Sequence, residues 1–408
     1  MHNQIASVDA VMVVVLQRYQ LITMVMYQLP INQFQSQPTP FYYYDLNLLA
    51  DTLTKVKQLT AGKPYVVHYA VKANSNPVIL RQIAAGGLGA DLVSGGEMQV
   101  AMQAGFDPRH MMFAGVGKTD EEINLGLDND IACFNVESVP ELEVINILAG
   151  ARGRMARVAI RVNPDIDAHT HSYITTGTAE NKFGIDIESL PQVVDLAQQL
   201  PNIELLGLHF HIGSQITLME PYRMLCERIN DLLDLFESRN VHFKMIDVGG
   251  GLGVDYEHPD ISPMAPFESF FDTFNRHLHL REGQQLHFEL GRAIVAQCGS
   301  LVARVVFVKE NRNKRFVILD AGMTQLVRPA LYQAHHLIQN LSAPATTPTA
   351  TYDVVGPVCE SSDVFGHDEV LPLTSRGDIF AIRSAGAYGE VMASQYNMRP
   401  LPPAVFSR

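Results

Sequence analysis

No two of the four cysteines, Cys133, Cys226, Cys298 and Cys359, stand at C-x-x-C spacing, and all lie far apart. That excludes a zinc knuckle and a disulfide framework and points to a reducing, cytoplasmic setting. Basic residues are scarce as well: 30 Lys+Arg face 43 Asp+Glu, a formal net charge of -13. A nucleic-acid duplex or an anionic membrane surface would be repelled overall, so neither is the expected main partner. Long apolar runs are missing too. Val11–Leu16 and Leu21–Met26 are separated by Gln17, Arg18 and Gln20, and a bilayer span needs about 20 apolar residues. The only cation before Lys55 is Arg18, behind the first apolar run, whereas a secretory signal starts basic. Residues 1–30 therefore read as an extension, disordered or from a misassigned start, with Met24 or Met26 as the initiator.

What remains is a chain that is 47% apolar and 18% charged over 408 residues, able to bury a large core and longer than the roughly 100–200 residues of one domain. Two domains are expected. Eight short apolar runs, Tyr65–Val71, Gly89–Val93, Met111–Ala114, Ile131–Val136, Val158–Val162, Leu205–His211, Met245–Val248 and Leu286–Leu290, alternate with stretches of helical period such as Pro77–Ala85, Gly96–Ala104, Val139–Leu148, Pro191–Gln199 and Tyr222–Glu237. Residues 46–290 thus match the roughly 250-residue length of a (β/α)8 TIM barrel. After Gly291 come strand-like runs without regular helices, Ser300–Val308, Arg315–Leu319, Thr351–Val355 and Asp378–Arg383. They predict an antiparallel β domain of residues 291–408 joined by 31–45, where Phe41–Tyr44 offers a further strand; 342–351 is low in complexity and reads as an exposed loop.

In a barrel the C-terminal strand ends converge on one face, where chemistry is sought. The first run ends in Tyr69-Ala-Val-Lys72-Ala-Asn74. This lysine is either a solvated cation past a strand end or an amine desolvated enough to form an imine. The sixth run ends in His209-Phe-His211-Ile-Gly-Ser214. Two histidines two apart share a strand face and suit a metal, a ring stacked on an aromatic cofactor, or a buried hydrogen-bonded pair. Metal ranks last, because the other strand ends carry no obvious further ligands. The seventh run ends in Asp247-Val-Gly249-Gly250-Gly251, where glycines let backbone N–H groups approach an anion, at a barrel position that commonly binds phosphate. The eighth ends in Phe288-Glu289-Leu290-Gly291-Arg292, a carboxylate and a guanidinium that could also be a structural ion pair.

Together these motifs resemble the fold-type III, alanine racemase-like decarboxylases that use pyridoxal phosphate (PLP), and most closely the diaminopimelate decarboxylase family. Further matches are Gly89-Ala-Asp-Leu-Val-Ser-Gly-Gly-Glu97, Asn181-Lys-Phe-Gly184, Arg328-Pro-Ala-Leu-Tyr332, Gly356-Pro-Val-Cys359-Glu360-Ser-Ser-Asp363 and Gly386-Ala-Tyr388-Gly, in family order over roughly residues 40–402. The resemblance implies that Lys72 carries PLP through an imine and that His211 stacks on its ring. It implies that Glu289 pairs with the ring nitrogen, and that Ser214, Gly249–Gly251, Gly291, Arg292 and Tyr388 bind the cofactor. It further implies that Arg292, Arg328, Tyr332 and Tyr388 bind the substrate, that Glu360 holds its distal ammonium, and that Cys359 returns a proton to carbon. Cys359 and Glu360 would come from the partner chain of a homodimer. The implied reaction is decarboxylation of meso-2,6-diaminoheptanedioate (meso-diaminopimelate) to L-lysine and carbon dioxide, the last step of lysine biosynthesis. Arg328 favours a substrate with an acidic tail over the terminal cation that sister decarboxylases accept. Leu290 stands where the family usually has proline. The rivals are a sister amino-acid decarboxylase, an alanine racemase, a non-catalytic PLP carrier and a metal-dependent barrel hydrolase.

Overall fold

The computed structural model describes residues 29–166 and 182–407. Most of the extension read at 1–30, and Asn181 of the Asn-Lys-Phe-Gly motif, lie outside the described residues. Strands in chain order are β1 Phe41–Tyr44, β2 Tyr65–Ala70, β3 Gly89–Leu92, β4 Met111–Phe113, β5 Cys133–Val136, β6 Ala156–Asn163, β7 Ile185–Asp186, β8 Ile203–His209, β9 Met245–Asp247, β10 Gln285–Leu290, β11 Gly299–Glu310, β12 Arg315–Leu319, β13 Ile338–Asn340, β14 Thr349–Val355, β15 Val364–Pro372, β16 Ile379–Ile382 and β17 Ala404–Phe406. Among the described residues two compact units emerge, one within Ala50–Val254 and Ala265–Val295 and a second within the chain up to Leu49, Asp255–Met264 and Ala296–Arg408.

The first unit is the barrel. All eight anticipated runs form parallel strands, in the order β5-β4-β3-β2-β10-β9-β8-β6, and β5 pairs with β6 to close the ring. The helices between them start on sequence-coded caps. Asn76 accepts from Val78 N at 3.0 Å, Ser94 accepts from Glu97 N at 3.2 Å, and Thr119 and Glu122 form a reciprocal capping box. One interior layer is apolar, built from Met112, Cys133, Ala159 and Met245. Buried polar side chains follow along the same strands: His68, Asp91, Asn135, His209, Asp247, His287 and Glu289. Burial of so many polar groups requires hydrogen-bonded partners, and these partners define the site.

Strand β10 is held from behind. Phe270, Phe271 and Phe274, on the helix Phe267–His277, set their rings 5.6, 5.1 and 5.2 Å from the ring of Phe288. Because neighbouring strand residues point to opposite faces, anchoring Phe288 outward sends Glu289 inward. Apolar patterning in one helix thereby aims a buried carboxylate in another element.

The second unit is the expected β domain, and its mostly antiparallel sheet also contains parallel pairings. Its order is β13-β16-β11-β12-β14-β15, with β1 antiparallel to β11. Two pairings are parallel, β12 with β14 and β1 with β17. Hairpin-like turn signals predict antiparallel neighbours, but β13 intervenes in sequence between β12 and β14, so their pairing is not a hairpin. Strands β13, β15 and β17 add to the runs read from the sequence. The long β11 is shared by β1, β12 and β16.

Candidate active site

Lys72 lies in the single 3-10 turn Val71–Ala73 that follows β2, and its Nζ donates to Asp91 Oδ2 at 3.1 Å. Asp91 is fully buried on β3; burial, then the charge of Glu289, push its carboxyl up to about 7 against the pull of Lys72. A carboxyl with a pKa near neutrality can take a proton from, or return one to, the amine it touches.

Glu289 is held by two side-chain donors from other strands of the barrel. Asn135 Nδ2 donates to its Oε1 at 3.0 Å and His209 Nε2 to its Oε2 at 3.1 Å. Burial works to raise its pKa, but His209, through charge and hydrogen bond, with Lys72, holds it below the usual carboxylate range. Of the three histidine readings open at the sequence level, the structure gives His209 the hydrogen-bonded one. His211 lies just past the end of β8, half-buried, with Nδ1 accepting from Gly250 N at 3.2 Å. That bond fixes the tautomer with the proton on Nε2. Burial lowers His211 to about 3, and Arg161 and Lys72 add to the effect, so the ring is neutral.

The glycine loop is shaped by packing as much as by ligand approach. A Cβ on Gly250 would sit 1.9 Å from Glu289 O, and one on Gly249, whose φ is +65°, 2.7 Å from His211 Nδ1. Gly251, at φ +91°, leaves 2.4 Å to Gly213 O. Two loop N–H groups are committed within the protein, Gly249 to Asp247 Oδ1 at 2.8 Å and Gly250 to His211. Gly291 backs onto Ala70 and Ala73, beside Lys72. Arg292, buried, donates through Nη2 to Ser214 Oγ at 2.8 Å.

Among the described residues, His209, Asp247 and Glu289 bring one possible ligand atom each within 4.8 Å of one another. The His209 and Glu289 atoms are already bonded to each other. The donor set fits PLP better. It offers a primary amine, a neutral imidazole, a held carboxylate for a ring nitrogen, and a guanidinium and hydroxyl for a phosphate. Sequence reading missed Asp91, Asn135 and the pair Arg161–Glu137. Arg161 Nη1 donates to Glu137 Oε1 at 2.6 Å, its guanidinium stands 4.6 Å from the Phe183 ring centroid, and Glu137 Oε2 accepts from Gly184 N at 2.9 Å. Charged residues at the ends of apolar β5 and β6 were the available signal.

The remaining expected residues belong to the second unit. Arg328 opens the short helix Arg328–Tyr332 and is buried, with Nη1 against His336 Nε2 at 2.9 Å and its guanidinium 4.9 Å from the Tyr256 ring. His336 Nδ1 donates to Arg383 O at 2.8 Å. An imidazole in that tautomer is uncharged, so it orients the guanidinium without neutralising it. Tyr332 ends the helix, half-buried. Cys359 and Glu360 are exposed; Tyr396 donates to Glu360 Oε1 at 2.6 Å and Cys359 N to Asn397 Oδ1 at 3.3 Å. Asp363 braces their loop, accepting from Met323 N and Val358 N at 2.6 Å each. Tyr388 takes φ 55°, a rare conformation for a bulky residue.

The chain matches the family model for the pyridoxal-dependent decarboxylase, pyridoxal binding domain, over residues 48–296. It is 56% identical to a diaminopimelate decarboxylase of Bacteroides thetaiotaomicron over 374 residues, 91% of this chain and 96% of that one. The chain belongs to the diaminopimelate decarboxylase family. A crystal structure of the family member from Helicobacter pylori, complexed with L-lysine, superposes with a TM-score of 0.87 at 40% identity, covering 92% of this chain and 93% of that one. A lysine/ornithine decarboxylase from Vibrio vulnificus, 22% identical with a TM-score of 0.79 over 91% and 95% of the two chains, shares the fold.

The buried barrel groups carry opposed pH signatures. His287 is lowered to about 3 by burial and by the neighbouring His68, with which it shares a 2.9 Å bond. Above 6.5 it is neutral in folded and unfolded chains alike. As pH falls below that value, only the unfolded chain takes the proton, and stability is lost. Asp91, raised to about 7, does the reverse: on acidification the folded state protonates first and gains. In urea unfolding of the cofactor-free protein, going from pH 6.5 to about pH 5, wild type is expected to lose about 1.5–2 kcal/mol relative to His287→Asn. Over the same interval it is expected to gain a similar amount relative to Asp91→Asn. Parallel pH profiles for all three would contradict the burial of these groups.

Proposed function

We propose that this protein decarboxylates meso-diaminopimelate to L-lysine and carbon dioxide with PLP bound at the barrel mouth, as the last step of lysine biosynthesis. The observation that carries the reading is Glu289, a buried carboxylate held by Asn135 and His209 on the strand end beside the turn of Lys72. Lys72 is the amine that attaches the cofactor, with Asp91 as its proton partner. His211 would pack against the ring as a neutral group. Arg292 and Ser214 hold the phosphate, assisted by the Gly249–Gly251 loop, Gly291 and Tyr388. Bound there, PLP supplies the electron sink that accepts the electron pair left when the α-carboxylate departs. Glu289 would offer its negative charge to the ring nitrogen. Cys359 returns the proton to carbon, Glu360 holds the distal ammonium, and Arg328 with Tyr332 and Arg292 reads the distal carboxylate.

The protein works as a homodimer in which Cys359 and Glu360 serve the partner's barrel. Their exposure on a braced loop, beside Tyr396 and the 93% exposed Met398, supports this. A cytoplasmic setting agrees with four free cysteines and with the finding that, among the described residues, no helix is long and apolar enough to cross a membrane.

The test is carbon dioxide release from meso-diaminopimelate, lysine, ornithine and arginine, with and without PLP. Release from meso-diaminopimelate alone, dependent on PLP, is expected. Arg328→Ala should lower kcat/KM for meso-diaminopimelate at least tenfold, since a hydrogen bond to a charged group is worth roughly 1.5–3 kcal/mol. Normal turnover by an Arg328→Ala protein that still binds PLP would remove the carboxylate-reading role.

A further inference from the structure

Beneath Glu289 lies a second carboxylate that the reaction as described leaves without a task. Asp247, at the end of β9, is 0% exposed. Its Oδ1 accepts from Gly249 N at 2.8 Å. Its Oδ2 is buried and meets no donor among the described residues. The titratable groups that face it are Glu289 on β10, His209 on β8, Asp91 on β3 and the buried thiol of Cys133 on β5. Two carboxylates this close, shut away from water, cannot both be ionised. The donors decide which one keeps the charge: Glu289 has the Asn135 amide and the His209 imidazole, whereas Asp247 has a single backbone N–H.

We propose that Asp247 is a carboxylic acid in the working enzyme, its Oδ2 carrying a proton that it donates to Glu289 and so completing a three-donor clamp with Asn135 and His209. It is a positioning residue, acting through Glu289. The proton turns a buried oxygen that lacks a donor into a donor itself, and burial together with the Glu289 charge drives Asp247 well above the usual carboxylate range. A carboxylate with three donors is a poor base. It keeps its negative charge and its aim rather than capturing a proton from a cationic neighbour. The inference rests on the reading that Glu289 faces the ring nitrogen of PLP.

Infrared difference spectra of the holoenzyme, wild type minus Asp247→Asn, at neutral pH test the protonation directly. Loss of a protonated carboxylic acid carbonyl band, shifting in heavy water, is expected. Loss of carboxylate bands instead would overturn the proposal, as would a stoichiometric metal ion in the purified holoenzyme. Asparagine presents an N–H where the acid presents its O–H, so it should restore the melting temperature and the kcat that Asp247→Ala loses, the latter by about tenfold or more with KM little changed. Equal damage from both substitutions would also overturn it. Should Asp247→Ala not fold, the infrared comparison with Asp247→Asn still decides. A wild-type protein that binds no PLP or releases no carbon dioxide would condemn the underlying reading, while the carboxylic acid band reports on Asp247 independently.

Discussion

Lys72→Ala is expected to abolish turnover and the covalent trapping of PLP together. A lysine imine conjugated to the cofactor absorbs visible light, so the wild-type protein should be yellow, and borohydride should fix the cofactor to Lys72 and to no other lysine. The structural reason for that selectivity is local. Lys72 stands in the turn leaving β2, partly withdrawn from solvent, with Nζ on the buried Asp91. Asp91 accepts from Nζ at 3.1 Å and so holds this amine in one position, unlike a lysine free in solvent. Removal of the amine leaves the barrel strands and Glu289 in place, so the variant should stay folded, colourless after dialysis and inactive. Mass spectrometry locating the reduced cofactor on a different lysine, or finding none in wild type, would refute the assignment of the site.

How much of this could be read in advance follows from how local each signal is. The eight barrel strands were legible because each is a short apolar run bounded by turn residues, and their order around the ring follows from repeating parallel units. The candidate residues Lys72, His211, Glu289 and Arg292 could be named from the sequence because they stand at strand ends inside recognisable motifs. Their partners could not. Asn135 and Glu289 are 154 positions apart, and Asp91 meets Lys72 only because β3 lies beside β2. Asp247 stood in plain view at the head of the glycine run, yet which of its oxygens lacks a donor is a property of the folded barrel. The glycine run suggests room for an anion, whereas Gly250 is also required by the Glu289 carbonyl packed against it. The segment Asp255–Met264, which belongs with the β unit, has no periodicity to announce it. It is placed by side chains such as Tyr256, edge-on to His336 at 5.0 Å, and Asp260, paired with Arg383 at 2.9 Å.

Mixing two inactive proteins is expected to create activity, and this follows from the proposal that Lys72 and Cys359 of one active site belong to different chains. Lys72→Ala and Cys359→Ala homodimers each lack an essential group at every site. Cys359 is the exposed one of the four cysteines, on a loop that Asp363 braces from within its own chain; an exposed thiol of that kind can serve a neighbour, while buried Cys133, Cys226 and Cys298 cannot. In an equal, randomly reassorted mixture, half the dimers are mixed, and twofold symmetry gives each mixed dimer one intact site and one doubly defective site. Activity should therefore recover to about a quarter of wild type. If both residues served the same chain, no intact site could form and mixing would restore nothing. Differently tagged chains, recovered together after reassortment, establish that exchange has occurred, so an inactive exchanged mixture would eliminate the shared site and leave Cys359 acting within its own chain or not at all.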